Sequence, residues 1–132
     1  MSSFKLIELL FPTPVVETVK PPAVFKPSLL ICGVNTSDCV QLLINAETFV
    51  LGKDEDCNGR LDFNTEISRH HCEIIWRDGL YYVKDRGSTN HTYLNDIMLA
   101  PGTEYPLEAG DRLQLSTSVF TVEEFHQRGD QA

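Results

Sequence analysis

Residues 68–95, SRHHCEIIWRDGLYYVKDRGSTNHTYLN, contain two short apolar segments joined by a turn. Apolar residues occupy alternate positions on each side of the turn, at 72, 74 and 76 and again at 81 and 83. This alternation is typical of half-buried β-strands. The dipeptide Asp78-Gly79 between them favours a two-residue hairpin turn. These residues therefore predict a β-hairpin with a polar loop at either end.

Similar short segments lie on both sides of this hairpin. Branched and aromatic residues concentrate at residues 29–34, 40–44 and 49–52, and again at residues 112–116 and 119–125. No segment has the period of an amphipathic helix. Short strands separated by turn residues every eight to twelve positions or so are typical of an all-β sandwich or barrel. We predict one such domain over residues 28–126.

The two ends of the chain have a different composition. Five of the seven prolines lie within residues 1–27, and proline removes a backbone donor and biases its predecessor toward extended structure. We therefore predict that residues 1–27 form an extended arm or linker, which either docks through its apolar residues or remains an undocked tail. Residues 127–132 are predicted to be a polar C-terminal tail.

The overall charge limits the classes of partner. Nineteen acidic and eleven basic residues give a net charge of −8, whereas a non-specific nucleic-acid binder needs a basic surface. No apolar run approaches the eighteen or so residues that span a bilayer, and the N-terminus lacks the features of a signal peptide. We expect a cytoplasmic domain without nucleic-acid or membrane partners.

The four cysteines follow no C-x-x-C spacing, and we expect reduced thiols in a cytoplasmic chain. A zinc site formed by Cys32, Cys39, Cys72 and a histidine is an alternative that the sequence leaves open. No cofactor is predicted.

Polar loops interrupt the predicted strands at residues 52–56, 66–71 and 85–92. Six of the eleven basic residues lie in this part of the chain, accompanied by hydroxyl and amide side chains. Loops at one end of a sandwich converge, and basic groups with short directional donors suit an oxyanion such as phosphate. The six are Lys53, Arg60, Arg69, Arg77, Lys84 and Arg86.

Four short motifs in these loops, taken in order, resemble those of the forkhead-associated (FHA) domain. They are Gly52-Lys53, Ser68-Arg69-His70-His71, the segment from Asp85 to Asn95, and Gly110-Asp111. The resemblance covers residues 49–125. It implies an FHA-like β-sandwich of two antiparallel sheets that binds phosphothreonine peptides in signalling.

The resemblance also implies roles for individual residues. Lys53, Ser68, Arg69 and Thr89 would contact the phosphate, and Asn90 would bind the peptide backbone beside the phosphothreonine. Gly52, His71 and Ser88 would be structural. The implied partners are proteins phosphorylated by Ser/Thr kinases. Phosphorylation of Thr13 or Thr18 could also let the N-terminal arm occupy its own site or that of a second copy.

Two positions depart from the family pattern. Lys53 stands where the family has arginine and so lacks a planar bidentate fork. His91 stands where the family has glycine. If the backbone there needs a positive φ, histidine is tolerated less well than glycine. These departures leave a phosphate-independent FHA scaffold as an alternative function.

Two further classes of function compete with peptide binding. Residues 54–62 match several positions of an EF-hand calcium loop, but Thr65 replaces the bidentate glutamate and strands replace the flanking helices. Ser68 or Ser88 with His70, His71 and an aspartate contains the ingredients of a hydrolytic triad, but no Gly-x-Ser-x-Gly turn is present. We therefore expect no metal site and no enzymatic activity.

Overall fold

The computed structural model describes residues 23–37 and 39–126. Every regular element in these ranges is a β-strand, and no helix in this part of the chain could span a membrane. The strands in chain order are β1 (Leu29–Gly33), β2 (Gln41–Leu43), β3 (Thr48–Gly52), β4 (Gly59–Arg60), β5 (Cys72–Arg77), β6 (Leu80–Asp85), β7 (Thr92–Leu94), β8 (Ile97–Met98), β9 (Glu104–Leu107), β10 (Arg112–Leu115) and β11 (Ser118–Glu124).

Two sheets form the predicted β-sandwich. One has the strand order β9-β6-β5-β3-β4, and the other has the order β2-β1-β11-β10-β7-β8. The strands pair antiparallel as predicted except at one place, where β3 and β4 pair in parallel over two residues. The loop between them returns the chain alongside β3 in the same direction.

Alternating side chains from both sheets form the core. Ile74 and Val83 come from the first sheet, and Leu113 and Phe120 from the second, and all four are fully buried. Burial of apolar surface between the two sheets is the main force that holds this fold together.

The predicted hairpin is confirmed. Arg77 pairs with Leu80 at the end of the ladder, and both Asp78 and Gly79 have positive φ values, 53° and 86°. Two consecutive positive φ values define the type I′ turn, whose twist matches that of paired strands.

Four strands have no clear signal in the sequence: β4, β7, β8 and β9. They have two to four residues each. β9 also contains Pro106, which a strand tolerates at a sheet edge, and β9 is the edge of its sheet. These strands form because neighbours offer pairing partners, so their own composition does not reveal them.

The predicted arm lies mostly outside the described residues. Its last residues include Phe25, whose ring packs edge-on against Trp76 with centroids 5.3 Å apart. The docking of residues further upstream, the phosphorylation of Thr13 or Thr18 and the predicted tail over residues 127–132 all fall outside the described ranges and stay predictions.

Candidate functional site

The three polar loops meet at one end of the first sheet. The strand register places Leu51 opposite Cys72, and Cys72 opposite Asp85, so the loops that follow β3, precede β5 and follow β6 are neighbours. Between them lies a surface cavity of about 490 Å³. Its lining residues are Lys53, Ser68, Arg69, His70, Arg86 and Thr89.

Gly52 allows the first two loops to approach each other. The backbone N–H groups of Lys53 and Asp54 donate to the carbonyl oxygens of Ser68 and Arg69, at 3.1 and 3.2 Å. A Cβ atom on Gly52 would lie 2.0 Å from the Arg69 carbonyl oxygen. Only glycine fits this contact, which supports the structural role predicted for it.

His71 is fully buried and orients the loop that carries Ser68. Its Nδ1 accepts the backbone N–H of Ser68 at 3.0 Å, and its Nε2 lies 2.9 Å from the carbonyl oxygen of His91. A carbonyl can only accept, so these partners assign the hydrogen to Nε2. Burial lowers the pKa of His71, although the hydrogen bond to His91 and the charge of Asp85 oppose this.

Ser68 is held with its hydroxyl beside the cavity. Its Oγ accepts the backbone N–H of Thr89 at 3.1 Å, which joins the loop before β5 to the loop after β6. Because a hydroxyl can accept and donate at once, this contact leaves the Ser68 hydrogen available to an anion in the cavity.

Ser88 faces away from the cavity and helps to hold the loop after β6. The carboxylate of Asp85, which is buried, accepts hydrogen bonds from the Ser88 and Thr92 hydroxyls and from the backbone N–H groups of Gly87 and Ser88. Burial raises the pKa of Asp85, but these hydrogen bonds outweigh it and lower the pKa below its usual range. The loop is therefore built around an ionised carboxylate.

Three cationic side chains surround the cavity, and their partners differ. The Lys53 ammonium donates to the carbonyl oxygen of Thr65 at 3.0 Å, and the Arg86 guanidinium forms an ion pair with Glu73 at 3.2 Å. The Arg69 side chain has no hydrogen bond or ion pair with any residue that the structure describes. Positive charge is thus concentrated here, although the chain as a whole is acidic.

Asn90 lies next to the cavity but does not line it. Its side-chain Nδ2 donates to the carbonyl oxygen of Glu66 at 2.9 Å. The amide is thereby oriented at the rim, with Oδ1 left to accept from a bound molecule. This placement is compatible with the peptide-backbone contact that the resemblance implies for Asn90.

The sequence did not mark His70 or Arg86 as phosphopeptide-binding residues. His70 occupies a variable position of its motif, and its Nε2 lies 2.8 Å from Asp56 Oδ1 and 3.8 Å from Asp54 Oδ2. Arg86 is also at a variable position. Their basic character within the polar loops was the only signal available.

His91 has a φ of 69°, so this position does require the left-handed conformation that the family's glycine adopts readily. Histidine is among the residues that tolerate this conformation better than most. The loop therefore adopts at position 91 a conformation that glycine takes without strain and that histidine tolerates.

The last motif residues lie away from the cavity. Asn95 donates from Nδ2 to Asp111 Oδ1 at 3.0 Å and accepts the backbone N–H of Arg112 at 2.8 Å. These residues join the turn before β8 to the turn before β10. Their role in this structure is to hold the second sheet together.

The contacts of the described residues do not favour the metal alternatives. Among them, the one cluster of three metal-ligand side chains is Asp56, Cys57 and His70, not the cysteines considered for zinc. The Cys57 thiol donates to the Arg69 carbonyl oxygen at 3.1 Å, and burial together with the charge of Asp56 raises its pKa. The EF-hand-like segment, residues 54–62, consists of the loop after β3 together with strand β4, and no helix flanks it in the described residues.

The hydrolytic alternative finds no support in the geometry. Both ring nitrogens of His71 are engaged with backbone groups, and the Ser88 hydroxyl is bound to Asp85. No serine hydroxyl of the described residues is hydrogen-bonded to a histidine ring. A serine nucleophile would need such a contact with its base.

The family model of the FHA domain matches residues 49–116, slightly more than half of the chain. The chain belongs to the FHA domain family. FHA domains are recognition modules. The matched segment includes the residues that line the cavity, the two loops that His71 joins by hydrogen bonds, and the buried Asp85.

Curated relatives match part of the chain. Protein FraH of Nostoc sp. is 43% identical over 53 residues, which are 39% of this chain and 18% of FraH. The FHA domain-containing protein FhaA of Mycobacterium tuberculosis is 36% identical over 73 residues, which are 55% of this chain and 13% of FhaA. The chain spans less than a fifth of the length of these two relatives.

Solved FHA domains share the fold. One, from a study of phosphothreonine-dependent FHA domain interactions, is 28% identical with a TM-score of 0.64, covering 76% of this chain and 98% of that one. The FHA domain of FhaA, solved in complex with the intracellular domain of Rv3910, is 27% identical with a TM-score of 0.64, covering 73% of this chain and 100% of that one.

Proposed function

We propose that this FHA domain binds phosphothreonine-containing segments of partner proteins at the cavity between its three loops. The observation that carries the proposal is the Arg69 guanidinium, which is exposed, borders the cavity and has no partner among the described residues. An unpaired cation beside an oriented hydroxyl is suited to a dianionic phosphate. The phosphothreonine-dependent interactions of the related solved domain support the same function.

In the proposed complex each site residue has a distinct task. Arg69 and Lys53 provide charge, the Ser68 hydroxyl donates to a phosphate oxygen, and Thr89, which also lines the cavity, contacts the phosphate. Asn90 binds the peptide backbone next to the modified residue. Charge-assisted hydrogen bonds of this kind contribute about 1.5–3 kcal/mol each, so a few of them support reversible recognition.

The family resemblance further implies a preference for phosphothreonine over phosphoserine and partners phosphorylated by Ser/Thr kinases. We propose that this binding takes place in the cytoplasm. We propose that the domain acts by binding and without catalysis. The engagement of His71 and Ser88 in structural hydrogen bonds supports this.

The proposal is tested by isothermal titration with a peptide selected from a degenerate phosphothreonine library. Wild-type protein should bind this peptide and bind its unphosphorylated form at least about a hundredfold more weakly. Arg69→Ala should weaken binding of the phosphopeptide by about tenfold to a hundredfold. Equal affinity for the two forms of the peptide would instead favour a phosphate-independent scaffold.

Arg77→Ala is the matched control. Arg77 is an exposed arginine at the far end of β5, where it pairs with Glu104 at 2.7 Å and lies over the ring of Tyr82. Arg77→Ala makes the net charge of the protein more negative by one unit, the same change as Arg69→Ala. An equal loss of affinity in both variants would mean that Arg69 acts only through overall charge.

A further inference from the structure

Arg86 lies in the same cavity as the proposed phosphate contacts. It follows β6 directly, and its backbone N–H donates to the His71 carbonyl oxygen at 3.0 Å. This bond extends the β5–β6 ladder by one step and keeps Arg86 beside the loop of Ser68 and Arg69. Its side chain is 40% exposed, and Arg86 lines the cavity.

Glu73 holds this guanidinium without neutralising the local charge. The Glu73 carboxylate, whose side chain is only 14% exposed, lies 3.2 Å from Arg86 and 3.4 Å from Lys84. One carboxylate is thus shared by two cations, which leaves a net positive charge beside the cavity. Arg86 uses one N–H for Glu73 and has further N–H donors without a described partner.

Arg86 matters more for phosphate binding because position 53 has lysine where the family has arginine. An ammonium group cannot bind phosphate through a planar fork, and the Lys53 ammonium is already bonded to the Thr65 carbonyl oxygen. Of the residues that line the cavity, Arg69 and Arg86 are therefore the two that can bind a phosphate through two N–H groups at once.

We propose that Arg86 is a further phosphate-contacting residue of this domain and that Glu73 positions it. The proposal rests on the proposed function. In it, Arg86 offers its unoccupied N–H groups to a phosphate oxygen while Glu73 stays bound to the remaining donor and to Lys84. A cation held by a largely buried carboxylate loses little side-chain freedom when the phosphate binds.

The test measures affinity for a phosphothreonine peptide whose only charged group is the phosphate. Such a peptide removes any pairing of Arg86 with acidic residues that flank the phosphothreonine. Arg86→Gln should weaken binding by about tenfold, and Arg86→Lys should recover part of the loss. Arg77→Gln, an equal change of charge outside the cavity, should change the affinity less than about twofold.

A second measurement reports on the phosphate itself. In a ³¹P NMR titration of the bound peptide, a cation in contact with the phosphate lowers its second pKa, which lies near 6 in free phosphothreonine. This pKa should be higher in the complex with Arg86→Gln than in the wild-type complex. Glu73→Asp, which keeps the negative charge but shortens the side chain that positions Arg86, should shift it in the same direction by a smaller amount, an effect that a purely structural role would not produce.

The outcomes separate the two proposals. If wild-type protein fails to bind any phosphothreonine peptide, the proposed function is wrong. If wild-type protein binds and Arg86→Gln binds equally well with an unchanged ³¹P titration, the function stands and the role of Arg86 is wrong. An effect of Arg86→Gln limited to peptides with acidic flanks also overturns a direct phosphate contact.

Discussion

The buried imidazole of His71 accepts a hydrogen bond from the backbone N–H of Ser68, with 3.0 Å between the two nitrogens. Its other nitrogen donates to the carbonyl oxygen of His91 at 2.9 Å. A neutral imidazole is therefore required to connect the loop before β5 to the loop after β6. The proposed phosphate contact at Ser68 depends on a residue that never touches the ligand.

Mild acid should destabilise the domain through His71. Burial lowers the folded-state pKa of His71 below its ordinary value of 6.5, so the unfolded chain takes up the proton first. The stabilisation that neutral His71 provides is fully present above the pKa of His71 in the unfolded chain. It is lost as the pH falls through the lower pKa of His71 in the folded protein. Urea unfolding between about pH 7.5 and pH 5 should show a decreasing free energy of unfolding.

Two variants separate His71 from the other histidines in this experiment. His126→Gln changes an exposed residue near the end of β11 and should retain the pH dependence of the wild type. His71→Gln should have a lower free energy of unfolding with a flatter pH profile. A wild-type free energy that does not change over this range would contradict the assignment.

Asp85→Asn should destabilise the domain by about 2–4 kcal/mol. The carboxylate accepts four hydrogen bonds while buried, and an amide would turn an N–H group toward some of these donors. Asp62→Asn, at a side chain that is 60% exposed and pairs with Arg60, should cost less than about 0.5 kcal/mol. Chemical denaturation measures both, and equal small losses would mean that the Asp85 hydrogen bonds contribute little.

His91→Gly should stabilise the domain by about 0.5–1 kcal/mol. Glycine removes the cost of the positive φ at His91, although its greater freedom in the unfolded chain offsets part of the gain. His91→Val should destabilise the domain by more than about 1 kcal/mol, because a branched side chain fits this conformation poorly. Thermal unfolding should shift in opposite directions for the two variants, and a shift in the same direction would contradict a backbone origin.

Gly52→Ala should abolish phosphopeptide binding and cost at least about 2 kcal/mol of stability. The added methyl group would meet the Arg69 carbonyl oxygen, so the segment that carries Ser68 and Arg69 must move. Gly102→Ala is a useful control, since Gly102 has a φ of 79° but open space around it. That change should cost about 1 kcal/mol and leave binding intact. Binding by Gly52→Ala with wild-type affinity would show that the two loops separate without consequence.

The fold was predictable from local signals to a considerable extent. Alternation around the Asp78-Gly79 turn was enough to identify β5 and β6, because each of these strands buries one face and exposes the other. Strands such as β4 and β9 were not predictable, since their short or proline-containing segments adopt this form only beside a partner strand.

The sequence by itself determined which residues are available for an anion site: the order of the four motifs, the basic character of the loops and the replacement of arginine by Lys53. Only the tertiary structure decided how they are used. It engages Lys53 with the Thr65 carbonyl oxygen and leaves the Arg69 side chain without a partner among the described residues. It also brings Arg86 into the cavity, where Arg86 shares Glu73 with Lys84. The physical reason is that residue type follows from local sequence, whereas charge balance and donor availability depend on which atoms strand pairing brings within a few ångströms.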